Sequence, residues 1–419
     1  MNRRFFPYPS RAKLKRLRVF EHQTLRVGEE VEGVRFEWEH FNRLATYAAQ
    51  HEQRYYQLRH RAVRFSHYVG AIQIGSLVIE VLPKVGQEAD TSQWQGVLIR
   101  MLRICKLLRI ENPGTAYLQL HQNSILDLYF SLFMEELIDL MRKGLFKTYW
   151  MEEANLRVWK GQLRFEKQIQ HNYSHMERCY ARYAAYNYNH MANRILREAL
   201  LVLARLPLMP RLQEKLQALM RQFPAVERLE VKSQHFEQLK FDRKAAAYYK
   251  ALDMARLLIF NFSPDVQMGR QPLLALMFDM NVLFEEYLYR KFQELENAEL
   301  RVYRQQHKAF WNRRHIRPDM LLVYRNKRYI LDTKWKQLKK QKPSMADLKQ
   351  VFIYNQYFQA QHAVLLYPAT GELDDLPPSP FQLTSPDSPT HYCQIKMVNV
   401  LHNGQLNPDI AKEILAILT

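Results

Sequence analysis

Two short apolar runs in the last third of the chain constrain its fold more than any other feature. They occupy residues 320–324 and 329–335 and are separated by four polar residues, a pattern that predicts a β-hairpin. Alternate residues of a strand face opposite sides, so Asp332 and Lys334 are expected to share one face of the second strand. Because Asp319 begins the first strand, the hairpin predicts that these three charged groups meet at one of its ends.

Two carboxylates at the end of a hairpin can hold one or two Mg²⁺ ions, with Mn²⁺ as a substitute, because hard cations prefer oxygen ligands. Such an ion supports phosphodiester hydrolysis by lowering the pKa of a bound water and neutralising charge in the transition state. Lys334 could orient or deprotonate the water, or stabilise the developing charge; the sequence leaves these roles open. The alternative interpretation is a solvent-facing strand with an incidental Asp-Lys pair.

A helix predicted around residues 280–288 precedes the hairpin and carries two adjacent acids. At about 100° per residue, Glu285 falls at the edge of the apolar arc and Glu286 on the polar side. Glu285 is therefore the acid expected to face the core and to join the metal ligands. The alternative is a rim glutamate that reaches solvent or an arginine.

Another predicted helix follows the hairpin and places Gln350 and Tyr354 four residues apart, on one face. These side chains could position water, hold Lys334 or contact the DNA backbone. An amphipathic helix with a hydrogen-bonded tyrosine is the alternative.

The chain has a formal net charge of +19 and a pI of about 9.7, and a surplus of that size attracts polyanions such as nucleic acid. Basic residues stand on both sides of the predicted hairpin, from Arg301 to Arg317 and from Lys336 to Lys342. No apolar run approaches the roughly 20 residues of a spanning helix. The N-terminus lacks the pattern of a secretory signal, so a cytoplasmic location without a membrane is expected.

The 12 glycines form neither a GxxxxGK[ST] loop nor a GxGxxG turn, which indicates that any nucleotide-driven work belongs to another chain. The three cysteines are far apart and give no zinc-ligand spacing. They are therefore interpreted as ordinary reduced thiols, in neither a disulfide framework nor a structural zinc site.

The element pattern predicts an α/β (α+β overall) chain of three domains: a mixed α/β region at 1–120, a mostly helical region at 121–270 and a nuclease-like domain at 271–419. Within the helical region we expect a strand pair at 155–165 that turns at Lys160-Gly161. Six of the 18 prolines lie in 368–389, which predicts a surface loop without regular structure.

The order of motifs resembles that of the PD-(D/E)xK nucleases, and in particular of the branch with a QxxxY helix. Over most of its length the sequence is similar to the McrC family, the nuclease subunit of the McrBC 5-methylcytosine restriction system. The segments that show this similarity are YVGAIQIGSLVIEVLPKVG at 68–86, LRVWKGQLRFEKQI at 156–169, HMANRILREAL at 190–200, NVLFEEYL at 281–288, RPDMLL at 317–322, ILDTKWK at 330–336 and DLKQVFIY at 347–354.

This resemblance implies a PD-(D/E)xK, restriction-endonuclease-like C-terminal core in which Asp319, Asp332 and Lys334 occupy the catalytic positions and Glu285 is the upstream acid. It also implies a hetero-oligomer with a separate McrB-like AAA+ GTPase that recognises modified (methylated) double-stranded DNA and translocates. The N-terminal part would dock into the ring of that partner and stimulate GTP hydrolysis.

Two other functions are compatible with the composition. One is a non-catalytic scaffold that keeps the nuclease fold and activates an NTPase in a DNA-defence complex. The other is a basic DNA-binding regulator, although the sequence contains no helix-turn-helix or zinc-finger pattern.

Overall fold

The structure is a computed structural model of the 419-residue chain. It describes residues 14–50, 54–84, 91–105, 107, 124–239, 246–263, 272–336, 338, 342–369, 375–382 and 390–418. None of the helices within these ranges combines the length and the hydropathy that a membrane-spanning segment requires.

Strands and helices alternate along the chain. The strands are β1 (Lys15–Phe20), β2 (Thr24–Arg26), β3 (Glu30–Val31), β4 (Val34–Arg35), β5 (Tyr56–Arg59), β6 (Ala62–Phe65), β7 (Tyr68–Ile74), β8 (Leu77–Leu82), β9 (Thr148–Leu156), β10 (Gln162–Leu163), β11 (Cys179–Asn187), β12 (Phe262–Ser263), β13 (Leu273–Asp279), β14 (Leu300–Arg304), β15 (Lys308–Trp311), β16 (Arg314–Ile316), β17 (Met320–Tyr324), β18 (Lys327–Thr333), β19 (His362–Pro368), β20 (Leu376–Pro380), β21 (Tyr392–Val398), β22 (Leu401–His402) and β23 (Gln405–Leu406). The helices are α1 (Trp38–Gln50), α2 (Thr91–Ile104), α3 (Ile125–Lys143), α4 (Phe165–Asn172), α5 (Met191–Leu203), α6 (Pro210–Gln222), α7 (Ser233–Glu237), α8 (Ala246–Phe260), α9 (Met280–Gln293), α10 (Met345–Phe358) and α11 (Ile410–Ala416). This mixture agrees with the predicted α/β class.

The chain forms two compact units. Of the described residues, the first unit contains Leu14, Gln73–Ser76 and those within Leu126–Leu276. The second contains those within Lys15–Ile72, Leu77–Ile125 and Met277–Thr419. The predicted division into three domains, 1–120, 121–270 and 271–419, stays a prediction.

The second unit is built around a six-stranded mixed sheet with the order β14-β17-β18-β19-β21-β20. β17 and β18 form the predicted antiparallel hairpin, whereas β18, β19 and β21 run parallel. Residues Tyr329–Thr333 of β18 are all buried, and α9 and α10 both contact this strand. Continuously apolar sequence is typical of a strand that is covered on both faces. Asp332 belongs to this buried stretch and is therefore an acid in the protein interior.

The connection from β18 to β19 runs through α10, whose ends are marked in the sequence. Ser344 caps its first turn by accepting the Asp347 N–H at 3.2 Å, as a serine at this position commonly does. Gln359 ends it in the left-handed conformation with φ 55°. The helix contacts β18, the strand that carries Asp332, and its Gln350 accepts a hydrogen bond from Lys334, directly after that strand.

The first unit contains a three-stranded antiparallel sheet with the order β10-β11-β9. The predicted strand pair at 155–165 is therefore wrong, because β9 and β10 do not pair with each other and β11 lies between them. Gly161, with φ 73°, approaches β11 so closely that a Cβ would collide with the Arg182 carbonyl oxygen. The glycine indicates close backbone approach rather than a two-residue turn.

The proline-rich segment also differs from expectation. β20 pairs with β21 at the edge of the six-stranded sheet, although Pro377, Pro378 and Pro380 lie within it. An edge strand can accept prolines because its outward N–H groups have no partner strand. The rest of the predicted loop at 370–374 and 383–389 lies outside the described residues.

Candidate active site

The β17–β18 hairpin brings the two aspartates of the motif together. Met320 pairs with Leu331, so one step further in this antiparallel register sets Asp319 against Asp332. Asp332 is fully buried, and burial followed by the charge of Asp319 raises its pKa. Asp319 Oδ2 accepts hydrogen bonds from Thr333 N at 2.7 Å and Thr333 Oγ1 at 2.8 Å, which fixes this carboxylate against the end of β18.

Lys334, directly after β18, turns back to the acid two residues before it. Its Nζ lies 2.6 Å from Asp332 Oδ2 and 3.8 Å from Asp347 Oδ1. Burial alone would lower the pKa of Lys334, but the carboxylates of Asp332, Asp319 and Asp347 together raise it. The side chain therefore carries its positive charge at neutral pH.

Gln350 and Tyr354 form a chain of hydrogen bonds that begins at the lysine. Lys334 Nζ donates to Gln350 Oε1 at 3.1 Å, and Gln350 Nε2 donates to Tyr354 OH at 2.8 Å. The Tyr354 hydroxyl then donates to the Arg317 carbonyl oxygen at 2.9 Å. Since Arg317 immediately precedes Pro318-Asp319, this chain connects the lysine to the segment that carries the first aspartate.

Glu285 on α9 faces the same region. Its Oε1 accepts hydrogen bonds from Gln305 Nε2 at 2.7 Å and Arg304 Nε at 3.3 Å. Burial, followed by the charge of Asp319, raises its pKa. The structure thus brings the predicted upstream acid within electrostatic influence of the first aspartate.

The expectation that Glu286 lies on a polar face is wrong, because Glu285 and Glu286 are both 8% exposed. Glu286 Oε1 accepts from Arg290 Nε at 2.7 Å, and Glu286 also pairs with Arg304. α9 contacts α2 and α11 as well as β14 and β18, so it is covered on more than one side. Arg290 and Arg304 compensate the charge of the buried Glu286. The position of Glu286 relative to the apolar arc of the helix could not predict this burial.

The carboxylates do not converge on one point. In the described part of the chain no three His, Cys, Asp or Glu side chains are close enough together to hold a metal ion. Thr333 holds Asp319, and Gln305 holds Glu285. Asp332 Oδ1, however, is buried and accepts no hydrogen bond from the described residues, which is costly unless a cation compensates. An all-oxygen donor set suits Mg²⁺ or Mn²⁺, so the residues fit a divalent ion by their chemistry.

Asp347 contacts the lysine of the candidate site although no motif of the sequence indicated it. It is buried, and its Oδ2 accepts from Lys336 Nζ at 2.7 Å and from the Tyr367 hydroxyl at 3.2 Å. Burial raises its pKa, but the hydrogen bonds from Lys336 and Ser344 outweigh this and leave the pKa lowered. Its position three residues before Gln350, in the same helix, is the signal that could have identified it.

A protein-family model matches this sequence. The model of the McrBC 5-methylcytosine restriction system component matches residues 63–368, which is most of the chain. The chain belongs to this family. The match includes the hairpin, α9 and α10, and therefore every residue of the McrBC-type candidate site from Glu285 to Tyr354.

A solved structure has the same fold as this McrBC-family chain. A chain of the refined half-complex from the tetradecameric assembly of Thermococcus gammatolerans McrB AAA+ hexamers with bound McrC aligns with a TM-score of 0.65 and 18% identity, over 97% of this chain and 100% of that one. A chain of the cryo-EM structure of the Thermococcus gammatolerans McrBC complex aligns over 70% of this chain and 90% of that one, with a TM-score of 0.47 and 19% identity. The curated proteins give no match.

Proposed function

We propose that this chain is the endonuclease subunit of its McrBC-type restriction system and hydrolyses phosphodiester bonds of double-stranded DNA with Mg²⁺ or Mn²⁺. The observation that carries the proposal is the buried Asp332 paired with Lys334 at 2.6 Å, one register step from Asp319. A structural ion pair at a protein's core gains little stability, whereas a buried acid beside a lysine at the end of a strand suits phosphate chemistry.

An ion held by Asp332, Asp319 and Glu285 would supply Lewis-acid activation of water and neutralise phosphate charge. Lys334 keeps its proton because the surrounding acids raise its pKa. It is therefore better suited to stabilise negative charge that develops on the phosphate than to remove a proton. Gln350 and Tyr354 hold the ammonium group in position through their hydrogen bonds.

Nucleotide hydrolysis and movement along DNA are the proposed work of another chain. This sequence contains no phosphate-binding loop, and the family is that of a multi-component restriction system. We infer that a separate AAA+ GTPase recognises modified, methylated DNA and translocates, and that this subunit stimulates its GTP hydrolysis and joins it in a hetero-oligomer.

The direct test is plasmid cleavage by the chain together with its AAA+ partner, GTP and Mg²⁺. Asp332→Asn and Lys334→Met are each expected to reduce cleavage by at least about 100-fold, because the first removes a ligand of the ion and the second removes the charge that stabilises the phosphate. The matched control is Lys327→Met, which changes an exposed lysine at the other end of β18 and should cut as the wild type does.

GTP hydrolysis measured in the same reactions separates catalysis from assembly. Both site variants should still stimulate the partner's GTPase activity. Cleavage that persists in both variants would refute the site, and the chain would then be a scaffold that activates the NTPase.

A further inference from the structure

A small hairpin projects from the second unit just before Asp319. β15 and β16 pair only with each other in the described structure, as a separate two-stranded sheet. All residues from His307 to His315 are exposed. Asn312 takes a left-handed conformation with φ 50° at the tip, which suits a tight turn.

The base of this hairpin belongs to the candidate site. Gln305 N donates to the Asp319 carbonyl oxygen at 3.0 Å and closes the loop. The Gln305 side chain holds Glu285, and Asp319 pairs through its carboxylate with Thr333. The hairpin therefore begins and ends at residues of the site itself.

The lower part of the hairpin is braced on α10. Lys308 Nζ donates to the Tyr357 carbonyl oxygen at 2.6 Å and lies 5.0 Å from the centre of the Phe358 ring. The Phe310 and Tyr357 rings contact each other with their centres 5.5 Å apart. These contacts fix the orientation of the hairpin relative to α10, and its tip remains exposed.

The tip is strongly basic and carries an exposed indole. Residues 300–318 contain six lysines and arginines and no acid. Arg313 and Arg314 make no ion pair with the described residues, unlike Arg304 at the base. The Trp311 side chain is 67% exposed, and an aromatic group beside unpaired guanidinium groups is typical of a surface that binds nucleic acid.

We propose that the β15–β16 hairpin is a DNA-binding arm that holds the backbone of the duplex next to the catalytic carboxylates. Arg313 and Arg314 pair with phosphates, and Trp311 packs against the sugars or bases beside them. Such contacts position DNA without reading its sequence. The inference rests on the proposed nuclease function but concerns binding, which can be measured without cleavage.

The test is binding of the full-length chain to a short fluorescent DNA duplex by anisotropy, over a series of salt concentrations and with a chelator present. The affinity falls as salt rises, and for Arg313→Ser/Arg314→Ser the slope of log affinity against log salt should become less negative by about two, because two phosphate contacts are lost. Trp311→Ala should weaken binding and leave the slope unchanged, since it removes no charge.

The matched control is Arg325→Ser/Lys327→Ser. It removes two cations from the β17–β18 turn, which lies at the end of those strands away from Asp319 and Asp332. This control should keep the wild-type slope, which rules out a general effect of net charge.

A tip variant that binds duplex as the control does would overturn the proposal. So would a tip variant that loses association with the AAA+ partner but keeps its affinity for DNA, because the arm would then be a protein-docking surface. Asp332→Asn separates the proposed nuclease function from the proposed DNA-binding arm. This variant should bind duplex normally while it fails to cut. If it still cuts, the nuclease proposal fails, whereas the binding result stands on its own.

Discussion

Glu21 is a buried acid outside the candidate site that contacts the residue directly after Lys334. Its Oε1 accepts hydrogen bonds from Trp335 Nε1 at 2.7 Å and from Lys84 N at 2.8 Å. Trp335 follows Lys334 directly, and its ring contacts Phe284, the neighbour of Glu285, with the ring centres 5.0 Å apart. A single hydrogen bond thus ties an N-terminal residue to the segment on which the lysine stands.

This environment predicts a pH-dependent stability. Burial raises the pKa of Glu21 to about 7, so the folded chain binds this proton more tightly than the unfolded chain. The stabilisation is complete below the ordinary pKa of a glutamate and is lost as pH rises through 7. Between about pH 5 and 8, the wild type should lose up to about 3 kcal/mol more stability than Glu21→Gln, as measured by denaturant unfolding.

Glu299→Gln serves as the control, because Glu299 is exposed and pairs with Arg325 at the surface. Its stability should change with pH as that of the wild type does. Parallel curves for Glu21→Gln and the wild type would contradict the assignment.

At the scale of elements, α10 determines where the lysine stands. It carries Gln350 and Tyr354 on the face beside β18, and the tyrosine reaches across to Arg317. The sequence predicted this helix and its shared face, because the i, i+4 spacing is a local property. It offered three roles for this face and could not choose among them, since the Arg317 carbonyl oxygen lies 37 residues away in the chain.

Tyr354→Phe tests this connection. Removing the hydroxyl deletes its hydrogen bonds with Gln350 and Arg317 and should cost about 2 kcal/mol, at about 1 kcal/mol for each bond. If the whole cost falls on the transition state, cleavage should slow by up to about 30-fold. The measurement is the cleavage rate together with urea unfolding.

Tyr357→Phe on the same helix is the control, because no hydrogen bond from its hydroxyl is among those formed by the described residues, and it should behave as the wild type. Equal rates for the Tyr354 variant and this control would show that the hydroxyl does not position the lysine.

At the scale of the whole molecule, the second unit contains every candidate site residue although it is assembled from separated parts of the chain. Its six-stranded sheet places an incompletely satisfied carboxylate, Asp332, at the end of a buried strand. A ligand that binds only the folded state raises the melting temperature. Divalent ions should therefore stabilise the folded chain, with Asp332 as the ligand that gains most among the three proposed.

Mg²⁺ at a concentration about 100 times its dissociation constant is expected to stabilise the wild type by about 2.7 kcal/mol, seen as a higher melting temperature in calorimetry. Asp332→Asn should show almost no shift with Mg²⁺. Without Mg²⁺ at alkaline pH it should melt no lower than the wild type, because burial makes the ionised aspartate costly. An equal Mg²⁺ shift in both proteins would place the ion elsewhere.

The sequence by itself determined the α/β class, the β17–β18 hairpin, the helices that flank it and the family resemblance. Period, capping residues and turn signals are local, so a single chain records them directly. The tertiary structure alone decided the pairing of β10 with β11, the burial of Glu286 and the contacts that Glu21 and Asp347 make with the lysine segment. These depend on which surfaces meet in the folded chain, at separations that run from 11 residues for Lys336 and Asp347 to 314 for Trp335 and Glu21. The free energy of burial is a property of both partners rather than of either stretch of sequence.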